Sequence, residues 1–407
     1  MIKIKGEQMI TRRLILFIAV AIFFTVLRGY GKGSYGTAVI PADARTDQYL
    51  PLLRNKRVGL VINQTSMVGS ISLLDVLRSK GINVTVIFVP EHGFRGTEDA
   101  GAHIDNSVDS TTHIPVISLY GSHKKPRPAD LDSVDMLVYD LQDVGVRFYT
   151  YISTLQYCME ACGQNKKQMI ILDRPDPNGF YIDGPVLQKE CKSFVGMQSI
   201  PVVYGMTAGE YARMLLGEGW LDSTANLDLN VIGCEGYTHK KQYKLPIAPS
   251  PNLRDMAAIY AYPSLCFFEG TAISVGRGTD KPFKQFGCPE YAGIYPYYFI
   301  PKSGAGAKKP LYENDTCYGV SLTDNPDGYK PADGKLHIDF IIEAYKNYPV
   351  QDKFFTPFFK QLSGTSQLAA QIKNGLSEKA IRQSWQDDLE KFKKIRKKYL
   401  LYEDFER

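Results

Sequence analysis

The chain has 407 residues, 44% of them hydrophobic and 22% charged, and carries a formal net charge of +5. These ordinary fractions exclude a disordered or low-complexity protein, and the length admits two domains or one elaborated one. The positive excess sits in the first 32 residues, with six basic and one acidic side chain; the remainder balances at 42 of each, so composition gives no support for nucleic-acid binding.

Lys3, Lys5, Arg12 and Arg13 precede the apolar run Leu14 to Leu27, after which small and glycine-rich residues take over. That is the layout of a secretory signal. The run of about fourteen residues is shorter than the roughly twenty that span a bilayer core, so cleavage within a segment ending near residue 32 is expected. An uncleaved signal anchor is the alternative, because the small-x-small cleavage pattern is poor. An exported protein follows, with the periplasm the preferred location and an extracellular or membrane-tethered form next. The seven cysteines, Cys158, Cys162, Cys191, Cys234, Cys266, Cys288 and Cys317, are odd in number and irregularly spaced, which is not a disulfide framework. Cys158 and Cys162 stand four apart on a predicted helix, but no second pair or nearby histidine completes a zinc site.

From Arg57 the pattern alternates. "RVGLVIN" reads as a buried strand, "SLLDVLRSKG" as a helix closed by glycine, and "NVTVIFVP" as a second strand; "IPVISLY", "VDMLVYDLQDVG", a helix from about Phe148 to Cys162, and "QMIILDRP" follow. Short apolar runs separated by helices predict an α/β fold, a Rossmann-like and mostly parallel sheet, over residues 45–245. Ligands in such sheets sit beyond the carboxyl ends of the strands. The residues there are Asn63 and Gln64 after the first strand, Glu91, His92 and Arg95 after the second, and Tyr120 after the third. Asp140, Asp143 and Arg147 follow the fourth, and Arg174 the fifth. One or two such ends serve as helix caps; five in a row predict a lined cleft. There is no G-x-G-x-x-G after the first strand, no G-x-x-x-x-G-K-[ST], no G-x-S-x-G and no H-E-x-x-H, so no nucleotide, serine-nucleophile or zinc chemistry is signalled, and no cofactor is expected. Past residue 245 the chain turns proline- and glycine-punctuated, and a smaller α+β domain is expected over 246–407. Within it "GKLHIDFIIEAYKNY" reads as strand then helix, and "LEKFKKIRKKYLLY" as a terminal helix with a solvated basic face.

Glu91 in "PEHGFRG" and Glu269 in "FFEGT" each follow an apolar run and precede glycine, which holds a carboxylate at the edge of a core, where desolvation favours a general acid. The plain alternative is that either accepts backbone N–H groups at a turn. Asp140 and Asp143 stand three apart and can face one pocket or act as caps. Arg95, Arg147, Arg174 and Arg277 offer planar forks for a carboxylate or phosphate, with Thr279 adding a donor beside Arg277. Tyr149, Tyr151, Tyr204 and Tyr262 supply surfaces of the kind sugars stack on, or core.

With these residues in place, the chain resembles the bacterial exo-β-N-acetylmuramidase family. The matching segments include "GLVINQTS", "VPEHGFRG", "YDLQDVGVRFYTYISTL", "LDRPDPNG", "PSPNL" with Asn252, and "YPSLCFFEGTAISVGRGTDKPF", over about Arg57 to Tyr402. The resemblance implies a Rossmann-like domain and a C-terminal domain with the site between them. It implies release of terminal β-linked N-acetylmuramic acid from the non-reducing ends of peptidoglycan fragments, and Glu91 as the leading catalytic candidate. The chain departs at Asp176, where the family pattern has asparagine, and at Cys288, where a smaller residue is expected. A muramic acid residue carries a lactyl carboxylate and an acetamido group. The expected roles are therefore Glu91 as general acid/base, Asp140 and Asp143 as orienting groups or water activators, Arg277 with Arg147 as lactyl ligands, and Glu269 as a reserve second carboxylate. The expected partners are muropeptides or disaccharides. The rival reading is an exported muropeptide- or glycan-binding protein without catalysis.

Overall fold

Apolar side chains that alternate along a strand must find two cores, one for each face, and the central sheet here has both. A computed structural model describes residues 38–96, 98–99, 106–222, 227–323 and 333–406. The expected targeting segment lies outside the described residues. After α1 (Thr46–Leu53) come β1 (Arg57–Ile62), the short hairpin β2 (Met67–Val68) and β3 (Ile71–Ser72), α2 (Leu73–Ser79) and β4 (Asn83–Val89). Then follow β5 (Ser107–Val108), β6 (Pro115–Ser118), β7 (Met136–Asp140), α3 (Tyr151–Gln164), β8 (Gln168–Leu172), α4 (Ala208–Gly217) and β9 (Leu229–Ile232). The seven-stranded sheet has the order β5-β6-β4-β1-β7-β8-β9. Only the β5–β6 pair at one edge is antiparallel. The parallel strands thus run third-second-first-fourth-fifth-sixth, the doubly wound Rossmann order.

Val58, Leu60 and Ile62 of β1 meet Met136, Val138, Ile170 and Leu172 on one face, under Tyr49 and Leu53 of α1 and Leu73, Leu74 and Leu77 of α2. Val61 joins Phe88, Leu137, Tyr139 and Ile171 on the other, under α3 and α4. Helices on both faces explain why the strands read as unbroken apolar runs. Ser72 caps α2 through the Asp75 N–H at 3.1 Å, and Thr207 with Glu210 forms a capping box on α4.

The second core face continues into the smaller C-terminal part. Here α5 (Met256–Leu265) leads into a three-stranded antiparallel sheet, order β10-β12-β11, of β10 (Gln285–Cys288), β11 (Tyr297–Phe299) and β12 (Cys317–Ser321). The chain closes with α6 (Asp339–Asn347), α7 (Pro357–Ser363), α8 (Gln367–Lys373), α9 (Glu378–Gln383) and α10 (Gln386–Arg396). The strand expected in "GKLHID" is absent. Two of its backbone donors go to side chains instead, Leu336 N–H to Asp183 Oδ2 and His337 N–H to Ser264 Oγ, each at 2.9 Å, and Ile338 N–H turns back to the Leu336 carbonyl. The helix expected from Phe148 starts three residues later, and the turn Phe148–Thr150 that replaces its first residues lines the cavity described next.

Candidate active site

A cavity of about 650 Å³ opens beyond the carboxyl ends of β4, β6 and β7. Its floor is aromatic: Phe148, Tyr149, Tyr262 and Phe283 meet edge to face with centroids 5.0–6.1 Å apart. Its rim carries Tyr120, Phe194, the loop from Gly306 to Leu311, and Phe358. The floor residues are buried, whereas on the rim Tyr120 and Phe194 are half-buried and Lys308, Lys309, Leu311 and Phe358 are exposed, so the space is closed at the floor and opens at the rim.

Glu91 and His92 enter it from the turn after β4. His92 and Gly93 both adopt left-handed backbone, with φ of 73° and 74°. For histidine that conformation is uncommon and costs free energy, of the kind stored at functional turns. His92 is buried, and burial pulls its pKa below the ordinary value against the opposing charge of Glu91, so it is neutral at pH 7. Its Nδ1 lies 2.7 Å from the Glu98 carbonyl oxygen. A carbonyl only accepts, so Nδ1 carries the hydrogen and Nε2 is left as an acceptor. Glu91 Oε2 accepts a hydrogen bond of 2.6 Å from Thr150 Oγ1 at the N-terminus of α3.

Glu269 and Arg277 come from the C-terminal part. Arg277 Nε donates to Glu269 Oε1 at 2.6 Å, and its guanidinium lies over the Phe283 ring at 5.0 Å from the centroid. Burial works against the charge on Arg277, but the Glu269 carboxylate more than offsets it and holds the pKa above its usual value. Both side chains face the cavity. The terminal guanidinium nitrogens have no hydrogen-bond partner among the described residues, so the fork is available to an anion. Burial also raises the phenols of Tyr149, Tyr151 and Tyr262, which stay protonated.

The structure thus brings together Glu91, His92, Tyr149, Glu269 and Arg277, and it takes the other candidates elsewhere. Asp140 and Arg174 do not line the cleft. They form a buried ion pair, Arg174 Nε to Asp140 Oδ1 at 2.6 Å and Nη2 to Oδ2 at 2.9 Å, with Asp43 on the same Nη2 at 3.0 Å. Asp143 is buried beneath the floor, accepting from the Tyr204 hydroxyl at 2.5 Å and the Gly145 N–H at 2.7 Å. Burial raises its pKa to about 6. Gly145 itself has φ 73°, and a Cβ there would strike the Asp176 carboxylate at 2.2 Å. Tyr204 is therefore core and not a sugar platform.

Arg147 is a correction as well. It is fully buried and donates to four carbonyls, Pro185 and Ile200 at 2.8 Å from Nη1, and Leu362 at 2.9 Å and Ser363 at 2.8 Å from Nη2. Burial lowers its pKa to about 9, so it is charged at pH 7 while tying α7 to the sheet domain. A lysine cannot reproduce that two-sided fork. Arg147→Lys is expected to lose about 1–3 kcal/mol in urea unfolding while the substrate KM of the folded fraction stays put.

Asn63 is buried and donates to the Tyr151 hydroxyl at 2.8 Å, behind the wall. Gln64 donates to the carbonyls of Ala248 and Pro249 and fills the space beside Gly96, where a Cβ would lie 2.1 Å from it. Arg95 is exposed in a separate 270 Å³ depression with Asp109 and Ser110. Asn252 braces the rim loop through the Gly306 carbonyl at 2.7 Å, and Thr279 donates to Gly276 O at 2.6 Å. Thr150, Lys308 and Lys309 line the cavity without having been singled out by sequence. A threonine ahead of a helix reads as a cap, and paired lysines in a glycine-rich loop read as solvated surface. Among the described residues no group of three or more His, Cys, Asp or Glu is arranged to hold a metal ion, and Cys158 and Cys162 are buried in α3.

Comparison with known proteins places the whole of this architecture. Residues 58–257 match the family model for the N-terminal part of exo-beta-N-acetylmuramidase NamZ, and residues 260–402 that for the C-terminal part. The peptidoglycan beta-N-acetylmuramidase NamZ of Bacillus subtilis (strain 168) is 37% identical over 380 residues, 88% of this chain and 90% of that protein. Two crystal structures of DUF1343 family proteins from Bacteroides fragilis NCTC 9343 are also similar. One has 44% identity and a TM-score of 0.81, covering 90% of this chain and 100% of its own; the other has 28% and 0.75, covering 90% and 99%.

Proposed function

The chain belongs to the exo-beta-N-acetylmuramidase family, and on that premise we propose a reaction for its cavity: hydrolysis of the β-glycosidic bond of a terminal N-acetylmuramic acid at the non-reducing end of a peptidoglycan fragment. The observation that carries it is the convergence of Glu91 with the Glu269–Arg277 pair in a blind, aromatic-floored space. A blind end admits one terminal sugar and sends the rest of the chain toward the rim, which is what exo action needs. The tyrosines and phenylalanines of the floor give a pyranose ring apolar faces to pack on. Arg277 offers its terminal nitrogens to the lactyl carboxylate, and its charge is secured by Glu269.

Glu91 is the general acid in this reading. Its proton passes to the glycosidic oxygen as the C1–O bond breaks, the bond's electron pair leaves with that oxygen, and a water oxygen ends on C1 while one of that water's protons returns to the carboxyl groups of the site. Glu269 is the reserve second carboxylate, acting on the other side of the anomeric carbon. The partners are muropeptides or disaccharides. An exported, periplasmic setting belongs to the same reading, since its substrate is wall material.

Incubation with a defined N-acetylmuramyl-N-acetylglucosamine disaccharide tests the proposal directly. Equimolar release of the two sugars is expected. Tight binding of the disaccharide with no release would overturn it in favour of a glycan-binding protein. Arg277→Lys keeps a charge beside Glu269 but loses the planar fork. It is expected to raise KM about 10- to 100-fold for the disaccharide with a free lactyl carboxylate, and to change far less for the same disaccharide with that group amidated. Steady-state kinetics on the two substrates separates these outcomes.

A further inference from the structure

Two cations at the mouth of the cavity have no anion of the protein's own among the described residues. Elsewhere in the lining, Glu269 pairs with Arg277, Lys308 Nζ lies 3.4 Å from Glu98 Oε2, and Asp99 Oδ2 accepts the Lys308 N–H at 2.5 Å. Lys309, exposed on the rim, makes no side-chain hydrogen bond or ion pair among the described residues. Lys124 Nζ lies over the ring of the rim residue Phe194, 4.7 Å from its centroid, and forms no ion pair among the described residues either. The same rim leaves Leu311 49% and Phe358 37% exposed. Apolar surface left open at the edge of a cleft marks where a ligand continues.

Lys309 does not sit on a loose loop. Gly304 and Ala307 exchange two backbone hydrogen bonds at 3.1 Å, and Asn252 Nδ2 donates to the Gly306 carbonyl at 2.7 Å. Gly306 has φ 80°, and a Cβ there would lie 2.8 Å from the Pro251 Cβ, so glycine is what lets the strap approach so closely. Asp99, from the loop after β4, then holds the strap by the Lys308 N–H. A backbone fixed in this way loses little freedom when a ligand arrives.

From this arrangement we propose that the rim binds the glycan on the far side of the scissile bond and selects chains in which N-acetylglucosamine is followed by a second muramic acid. The proposal rests on the muramidase reading of the cavity and specifies its leaving group. A terminal sugar seated on the closed floor sends the rest of the chain over the rim. Peptidoglycan alternates a neutral amino sugar with an anionic one. The first residue past the scissile bond is N-acetylglucosamine, whose uncharged ring packs on the apolar surface of Leu311 and Phe358. The next is muramic acid, whose lactyl group, bare or extended by a peptide, ends in a carboxylate for Lys309 and Lys124. A lysine is a flexible point charge without a fixed fork, which suits a carboxylate whose position varies with the attached peptide. Arg277, deeper in the cavity, keeps the carboxylate of the terminal sugar.

Two trisaccharides of equal length separate charge from length. One is N-acetylmuramic acid followed by two N-acetylglucosamines, and the other has a second N-acetylmuramic acid in third place. The parent is expected to turn over the acidic trisaccharide with a KM about 4- to 25-fold lower and kcat within about twofold, since exposed ion pairs are worth about 2- to 5-fold each. Lys309→Gln and Lys124→Gln should each remove about 2- to 5-fold of that preference, and the double variant all of it, with the neutral trisaccharide unaffected. Lys309→Arg, which keeps the charge, should retain it. The preference should also collapse in about 1 M salt, where the screening length is about 3 Å. Equal use of the two trisaccharides by the parent overturns the proposal, and so does a preference that survives in the double variant. A loss shared equally by both trisaccharides in Lys309→Gln overturns it as well, because that reports damage to the strap. A parent that releases no muramic acid from either removes the muramidase reading itself, whereas an active parent without the preference removes only the rim site.

Discussion

Glu91→Gln is expected to release N-acetylmuramic acid about 10²–10⁴ times more slowly than the parent, the range set by loss of a positioned general acid, with binding of the disaccharide and thermal stability close to unchanged. The amide is nearly the same size as the carboxyl, and its oxygen can still accept from the Thr150 hydroxyl that now bonds Glu91 Oε2 at 2.6 Å. What it lacks is a proton to give to the leaving oxygen. Glu91 is half-buried on a cavity wall, so an amide of the same size leaves the packing around it in place. Release rates measured with purified protein, alongside calorimetric binding of the disaccharide, decide the matter. A variant within tenfold of the parent would take Glu91 out of the reaction, and a variant that neither binds nor cleaves would point to a collapsed site.

The turn after β4 was legible because an apolar strand ran straight into ionisable residues between glycines, and chemistry of that kind has few structural uses. Glu269 and Arg277 were each legible for a similar reason, although nothing in "FFEGTAISVGRG" declares that Arg277 Nε and Glu269 Oε1 meet at 2.6 Å. Asp140, Asp143, Arg147 and Arg174 obeyed the same strand-end rule and went inward. The rule says where a strand stops and is silent on which remote segment will cover it. Asp43, which shares Arg174, lies 131 positions away in sequence, and Leu362, which takes an Arg147 donor, lies 215 away. At the point where the strand order reverses, between β1 and β7, the crevice that holds a dinucleotide in other doubly wound sheets is filled by the chain itself. Thr65 Oγ1 accepts from Gln142 N–H at 3.2 Å, and Ser66 Oγ donates to Asp140 O at 2.5 Å. The ligand space is displaced toward β4 and β6 as a result. Thr150 was hidden by the opposite ambiguity, since a threonine before a helix has so common a structural use that sequence alone offers no reason to look past it.

Arg174→Met is expected to be the most destabilising single change outside the cavity, at about 3–5 kcal/mol, because it strips one cation from two buried carboxylates. Asp43 and Asp140 are each no more than 1% exposed, and Arg174 is held between them at 2.6–3.0 Å. Even with the arginine present, burial and then the neighbouring Asp140 charge raise the Asp43 pKa to about 6 against the pull of Arg174. Without it one of the pair must take up a proton or leave the interior. The direction with pH follows from linkage: a carboxyl whose folded-state pKa exceeds its unfolded value near 3.8 favours the fold when protonated, and that contribution is lost as pH rises through the folded pKa. The stability gap between parent and variant should therefore be wider at pH 7.5 than at pH 5, and urea unfolding at the two pH values measures it. Adding Asp140→Asn to Arg174→Met removes the need for that proton and should recover part of the loss while flattening the pH dependence. A gap that does not change with pH would mean that the cost comes from lost packing around the arginine stem and not from unpaired charge.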